Sequence, residues 1–183
     1  MQRIPSIDHA SATGRAKELL DGVKAGLGVV PNLFRLTAQS PTGLAGLLGF
    51  HAALAGGEVD GATQERIALA VANVNGCDYC NAAHTLLAKR QKLDEAEIAA
   101  NREGHSADAK ADAAVAFARK VAVSRAAVSE ADIAAVRQAG WSDGALVEIV
   151  LLVAYNTATN YLNEAFQTEI DFPLPAVPAA RAA

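Results

Sequence analysis

The chain has few aromatic residues, few charged residues and only two cysteines. Aromatic residues make up 5% and charged residues 20% of the 183 positions, whereas 51% are apolar. Lysine and arginine are scattered and the net charge is −4, so no basic patch predicts a nucleic-acid partner. The N-terminal residues lack the apolar core of a signal peptide, and the longest apolar run, residues 145–155, is too short to span a bilayer. We therefore expect no membrane partner and a cytoplasmic location.

Alternating apolar and polar residues, the pattern of a half-buried strand, are also missing. Much of the apolar content is alanine, the best helix former, and one domain is the simplest count for this length. The sequence therefore predicts a single all-α domain over residues 1–183, with residues 176–183 as a loose tail. The apolar surplus also predicts a homo-oligomer. Helices are expected at about residues 11–26, 31–38, 40–54, 60–74, 77–90, 94–104, 108–123, 129–138 and 142–169.

Both cysteines lie in one C-x-x-C motif, Cys77 and Cys80, and His84 follows four residues after the second. On a helix these three residues occupy positions i, i+3 and i+7, which lie on one face. Glu65 adds a carboxylate near the start of the preceding helix. In a reducing compartment a lone C-x-x-C is more often catalytic or metal-binding than a structural cross-link. The four residues predict thiol redox chemistry.

Either cysteine has a reason to be the nucleophile, which must be a thiolate although a free thiol has a pKa of ~8.5. The helix N-terminus just after Gly76 favours a thiolate at Cys77. His84 is placed to accept the proton of Cys80, and Glu65 would orient the imidazole if the two helices form a hairpin. We favour Cys80 as the attacking thiol and Cys77 as the resolving thiol, because the base acts directly on the proton to be moved.

The spacing Glu65-x11-Cys77-x2-Cys80-x3-His84 resembles the active-site signature of AhpD-like alkylhydroperoxidases, in the carboxymuconolactone decarboxylase superfamily. The flanking segments, residues 30–34, 40–41, 156–161 and 171–173, resemble its peroxidase-related branch. The resemblance implies an all-α fold built around antiparallel helical hairpins, trimers or hexamers, and no haem, flavin or metal cofactor. It also implies that Cys80 forms the sulfenic acid, that Cys77 resolves it, and that Glu65 and His84 relay protons.

The function expected from this resemblance is reduction of hydrogen peroxide or an organic hydroperoxide through a Cys77–Cys80 disulfide. An unknown thiol or a lipoyl-type dithiol would then reduce the disulfide. One departure concerns Tyr79, which stands where the best-studied family pattern has a second histidine. Tyr79, Asn156 and Asn160 are candidates for the edge of the substrate pocket.

Four alternatives remain open from the sequence. The two cysteines can be buried and unreactive, or they can bind zinc with His84 and either Glu65 or water. A lactone decarboxylase like the members that gave the superfamily its name is a different enzyme class, although decarboxylation needs no dithiol. A non-enzymatic redox sensor is the fourth.

Overall fold

Helices make up all the regular structure of the computed structural model, which describes residues 1–173. Nine α-helices and no strand are present in those residues, which confirms the all-α prediction. The tail expected at residues 176–183 lies outside them. The helices are α1 (Gly14–Leu27), α2 (Asn32–Thr37), α3 (Pro41–Ala55), α4 (Gly61–Val74), α5 (Asp78–Arg90), α6 (Glu95–Arg102), α7 (Ala109–Ser124), α8 (Glu130–Gln138) and α9 (Asp143–Phe166).

Side-chain caps determine where most of these helices begin. In each case an Asp or Ser oxygen accepts a hydrogen bond from the backbone N–H three residues later, which satisfies a donor left free at the helix start. The capping residues are Ser40, Asp60, Asp94, Asp108, Ser129 and Ser142. Two expected bounds were wrong: α1 begins three residues after Ser11, and α9 ends at Phe166, three residues before Glu169.

Helix α4 is the centre of the fold. Residues 67–72 of this helix are each at most 2% exposed. Four other helices pack on it, namely α5, α6, α7 and α9. Alanine alternates with larger aliphatic residues along this stretch, so neighbouring helices can approach closely on several sides. The rigid central helix therefore fixes the position of any residue near its start, including Glu65.

Helix α9 extends well beyond the apolar run visible in the sequence. Its 24 residues make it long and apolar enough to cross a membrane by length and composition. However, 44% of its most apolar 18-residue window is buried inside the protein, and a core helix passes the same test. In this structure α9 packs against α3, α4, α5 and α7.

Candidate active site

The connection between α4 and α5 places the first cysteine. Gly76 adopts a positive φ of 65°, which ends α4. Its N–H bonds to the carbonyl of Asn73, and the Cys77 N–H bonds to the carbonyl of Ala72. These two bonds form a Schellman motif, the usual helix end at a left-handed glycine. Cys77 is then the N-cap of α5, so one residue both closes α4 and opens α5.

Cys77 and Cys80 form a disulfide, and their Cα atoms are 5.3 Å apart. Both are buried, Cys77 fully and Cys80 with 3% exposure. The Cys77 Sγ accepts the backbone N–H of Cys80 at 3.2 Å, in the manner of an N-cap side chain. The helix N-terminus therefore acts on the Cys77 sulfur, as the sequence indicated.

Glu65 and His84 meet across the α4–α5 hairpin. They lie ten residues before and nine residues after Asn75, so their contact shows that the two helices run antiparallel. The Glu65 Oε2 lies 2.8 Å from the His84 Nδ1, and both side chains are 18% exposed. An ionised carboxylate only accepts hydrogen bonds, so it holds the proton on Nδ1 and leaves Nε2 of a neutral imidazole as the basic atom. The contact expected from the sequence is present.

A residue that the sequence analysis missed lies directly on the second cysteine. The Asn163 Nδ2 donates to the Cys80 Sγ at 3.2 Å, from helix α9. Asn163 follows Asn156 and Asn160 at helical spacing, on the same buried side of α9. This row of asparagines was the available signal for a polar buried face on α9, although it does not by itself indicate the contact with Cys80.

The other two asparagines of α9 have different surroundings. Asn160 is fully buried, and its Oδ1 accepts from the Asn75 Nδ2 at 2.8 Å, which ties α9 to the hairpin turn. Asn156 is buried and donates to the carbonyl of Leu152 in its own helix. Asn160 thus supports the turn that carries Cys77, whereas the one side-chain hydrogen bond of Asn156 within residues 1–173 stays inside α9.

Tyr79 lies between the two cysteines in the sequence. Its side chain is only 4% exposed and packs in one cluster with both of them. Its hydroxyl accepts the backbone N–H of Leu33 at 3.1 Å, and its ring meets Phe172 edge-on at 5.5 Å. Burial raises the pKa of Tyr79 well above its ordinary value, and the nearby Asp171 carboxylate acts in the same direction. Tyr79 therefore stays protonated and fastens α2 and the segment after α9 to the site.

A second histidine, His51, lies close enough to the Glu65–His84 pair for both charges to act on it. The ring of His51 on α3 is 5.5 Å from the ring of Tyr155. Although the His51 side chain is exposed, partial desolvation of its ring lowers its pKa; the Glu65 charge opposes this shift and His84 adds to it. Burial also raises the pKa of Tyr155 to about 12, with a further contribution from Glu65. The Glu65 carboxylate thus acts electrostatically on both His51 and Tyr155, in addition to its contact with His84.

A cavity of about 1060 Å³ opens beside the start of α5. We name it the Asn163 cavity. Its lining includes Gly76, Asp78, Tyr79, Asn163 and Thr168. Of the three expected pocket residues, Tyr79 lines it, while Asn160 reaches it only through Asn75 and Asn156 is not part of the lining.

The zinc alternative receives no support from the geometry. Within residues 1–173, no group of three or more His, Cys, Asp or Glu side chains is arranged to hold a metal ion. The sulfurs that would ligate zinc are bonded to each other.

Comparisons with known proteins show which family and which folds this arrangement resembles. Residues 41–124 match the profile of the Carboxymuconolactone decarboxylase family, a span that runs from α3 to α7 and contains all four motif residues. No curated protein sequence matches the chain.

Solved structures share the fold over nearly the whole chain. The AhpD core of an uncharacterized peroxidase-related protein from Ralstonia eutropha JMP134 is 25% identical, has a TM-score of 0.82, and each chain is covered to 97%. A peroxidase-related protein from Silicibacter sp. TM1040 is 21% identical, with a TM-score of 0.79 and coverage of 92% of this chain and 93% of that one. The debrominase Bmp8 in complex with 2,3,4-tribromopyrrole is 19% identical, with a TM-score of 0.77 and 93% of each chain covered.

Proposed function

Since this chain belongs to the carboxymuconolactone decarboxylase superfamily, with an AhpD-like fold, we propose that it is a thiol peroxidase that reduces hydrogen peroxide or organic hydroperoxides. The observation that carries the proposal is the Cys77–Cys80 disulfide on the same helix as His84, whose imidazole is held by Glu65. A buried dithiol on the same helix as a carboxylate-oriented imidazole has the parts that thiolate chemistry requires.

In the first step His84 takes the proton of the Cys80 thiol, and the thiolate attacks the terminal oxygen of R–O–O–H. An S–O bond forms, the O–O bond breaks, and the alkoxide leaves and is protonated by His84 to give R–OH. Sulfur loses two electrons and the peroxide gains them, which leaves a sulfenic acid on Cys80. Glu65 stabilises the charged imidazole between the two proton transfers.

In the second step Cys77, as a thiolate, attacks the sulfur of the Cys80 sulfenic acid. The S–S bond forms, the S–O bond breaks, and the leaving hydroxide takes the proton released by Cys77 and becomes water. The Cys77–Cys80 disulfide of the structure is the bond that this proposed step would form. An external thiol or lipoyl-type dithiol then reduces the pair by exchange, which favours a reducing location such as the cytoplasm.

The decisive experiment follows both cysteines during oxidation. Peroxide added to the reduced, metal-free protein should remove both thiols of each chain, and intact mass should fall by two hydrogens. The Cys80→Ser variant should lose peroxide consumption, whereas Cys77→Ser should trap a sulfenic acid on Cys80 that a dimedone-type probe labels.

Each remaining alternative predicts a result that differs from that of a thiol peroxidase. A decarboxylase or a pair of unreactive cysteines leaves both thiols intact at peroxide concentrations that oxidise a thiol peroxidase. A sensor forms the disulfide but does not turn over with excess dithiol. Label on Cys77 in Cys80→Ser, and none on Cys80 in the reverse variant, would invert the assigned roles.

We also propose that the protein is a homo-oligomer, a trimer or hexamer by its resemblance. Helix α3 contains no charged residue, yet only Leu44 and Leu54 are buried. On α9 the exposed large apolar residues are Val147, Val150, Leu151 and Tyr161. Apolar faces of this extent are typical of interfaces. Light scattering at micromolar concentration should give a multiple of 18.9 kDa, and the monomer mass would contradict the proposal.

A further inference from the structure

Among the residues that the structure describes, Asn163 is the one side chain that donates a hydrogen bond to the Cys80 sulfur, and it also lines the Asn163 cavity. It is 2% exposed, and its Nδ2 donates to the Cys80 Sγ at 3.2 Å. Its Oδ1 has no hydrogen-bond partner within residues 1–173. One end of this amide is therefore occupied by the reactive sulfur, and the other end is unoccupied.

A buried amide oxygen without a partner destabilises the fold, so native proteins seldom leave one without a reason. The Thr168 Oγ1 is a second buried polar atom without a partner, and it also belongs to the lining of the Asn163 cavity. Two such atoms beside one cavity indicate an occupant that can donate hydrogen bonds. A hydroperoxide carries such a donor on its terminal oxygen.

We propose that the Asn163 cavity binds the hydroperoxide and that Asn163 positions it, an inference that rests on the thiol peroxidase function proposed above. The hydroperoxide O–H donates to the Asn163 Oδ1, while the Asn163 Nδ2 continues to donate to the Cys80 sulfur. The same amide thus holds the attacked oxygen beside the attacking thiolate. When the S–O bond forms, the O–H stays on the new sulfenic acid and keeps its bond to Oδ1, so the contact survives the step.

The charges around the cavity select the class of hydroperoxide. Three acidic residues line it, Asp78, Glu164 and Glu169, against one basic side chain, Arg3. The Arg3 guanidinium donates to the carbonyl of Ala165 at 2.8 Å, so part of its hydrogen-bonding capacity is already used. A carboxylate on the substrate would meet this negative charge. The preferred substrate is therefore an uncharged hydroperoxide rather than an anionic one.

The variant Asn163→Leu keeps the side-chain volume and removes both polar ends of the amide. Two rates are measured in the Cys77→Ser background: oxidation of Cys80 by peroxide, and alkylation of Cys80 by iodoacetamide. Alkylation needs the thiolate but no bond from a peroxide O–H. We expect peroxide oxidation to slow about tenfold more than alkylation, the change that a hydrogen bond of about 1.4 kcal/mol gives. Thr159→Val, which loses one buried hydrogen bond on the same helix, should change neither rate.

Equal slowing of both reactions would overturn the inference, because Asn163 would then act only on the thiolate. No slowing of either would overturn it as well. Failure of the proposed function is a separate result: Cys80 in the parent protein would then react with peroxide no faster than a free thiol does. If Asn163→Leu does not fold, Asn163→Ser is measured in the same two reactions.

A matched substrate pair tests the charge argument. The methyl ester of a fatty-acid hydroperoxide should react several-fold faster than the free acid at low salt, and the ratio should shrink as salt rises. Glu169→Gln should lower the ratio at low salt. Equal rates for ester and acid, or faster reaction of the acid, would contradict selection by charge.

Discussion

Glu65 and Arg66 are neighbours on α4, and each forms an ion pair with a different helix. Glu65 pairs with His84 on α5, and Arg66 pairs with Glu97 on α6 at 2.7 Å. The exposed fractions are similar, 18% for both members of the first pair and 13% and 10% for the second. Burial and sequence position therefore do not distinguish the pairs. The number of partners on each carboxylate does.

The Glu97 carboxylate accepts four hydrogen bonds, which come from Arg66, Asn101, Ser106 and the Ala107 N–H. Burial acts to raise the pKa of Glu97, but these bonds outweigh it and lower the pKa to about 2. A carboxylate with every oxygen engaged keeps its charge and holds α6, the loop after it and α4 together.

Glu65, by contrast, shares a hydrogen bond with His84 and with no other side chain in the described contacts. A carboxylate with one partner, itself an ionisable imidazole, can follow a change in the charge of that partner. The comparison predicts that Glu97 serves stability and that Glu65 serves the reaction.

The largest expected effect is on the rate of Cys80 oxidation. We expect His84→Gln and Glu65→Gln each to slow the reaction with peroxide, by about 10³-fold for the worse of the two, because general base catalysis contributes 10²–10⁴-fold. The double variant should be scarcely slower than the worse single variant, since groups acting as one unit are non-additive. Stopped-flow measurement of thiol oxidation in all four proteins gives the double-mutant cycle.

Two results of that cycle would contradict the role in the reaction that the comparison with Glu97 gives to Glu65. Strictly additive losses would mean that Glu65 and His84 act independently. A Glu65→Gln protein with the parent rate and parent thiol pKa would mean that Glu65 is only a charge near the start of α4. Glu95→Gln, at an exposed ion pair with Lys89, is the control and should leave the rate unchanged.

The second effect is on stability. Glu97→Gln should lower the free energy of unfolding by about 3 kcal/mol, because it leaves the Arg66 guanidinium buried without its anion. Denaturant unfolding measures this loss, and Glu95→Gln should cost less than about 1 kcal/mol, as exposed ion pairs do. The folded fraction of Glu97→Gln should oxidise Cys80 at the parent rate. A Glu97→Gln protein of parent stability would contradict the structural role.

Sequence alone predicted what depends on neighbours in the chain. Helix geometry within a few residues determines the caps at Ser40 and Ser142 and the end of α4 at Gly76. It also determines that Cys77, Cys80 and His84 share one helix face. The Glu65–His84 contact was predictable because a short turn joins their helices. Asn163 was not found, because its role depends on how α9 crosses α5, 83 positions away in the chain. The four bonds to Glu97 depend in the same way on a loop after α6.

The third effect depends on pH. The Glu97 pKa is lowered from 4.5 to about 2 on folding, so the unfolded chain binds more protons between these values. The contribution of Glu97 to stability is therefore complete above about pH 5 and disappears as the pH falls toward 2. The difference in unfolding free energy between the parent protein and Glu97→Gln should shrink over this range. Other acidic groups with lowered pKa values, such as Asp132, titrate in both proteins and cancel in the difference. A difference that stays constant from pH 6 to pH 3 would show that Glu97 has no lowered pKa.

The smallest expected effect concerns the Tyr79 hydroxyl. Like the Glu97 carboxylate, it is hydrogen-bonded and keeps one protonation state, so it should serve stability rather than the reaction. Its oxygen accepts the Leu33 N–H, and burial keeps it protonated, so it has a structural bond to lose and no proton to exchange. Tyr79→Phe should therefore lower the free energy of unfolding by about 1 kcal/mol, the usual value of one such bond, while the Leu33 N–H at the start of α2 turns to water. The rate of Cys80 oxidation should change less than threefold. Urea unfolding and stopped-flow oxidation on the same preparation separate the two roles. A rate loss of tenfold or more with little loss of stability would place Tyr79 in the proton relay, at the position where the family pattern has a histidine.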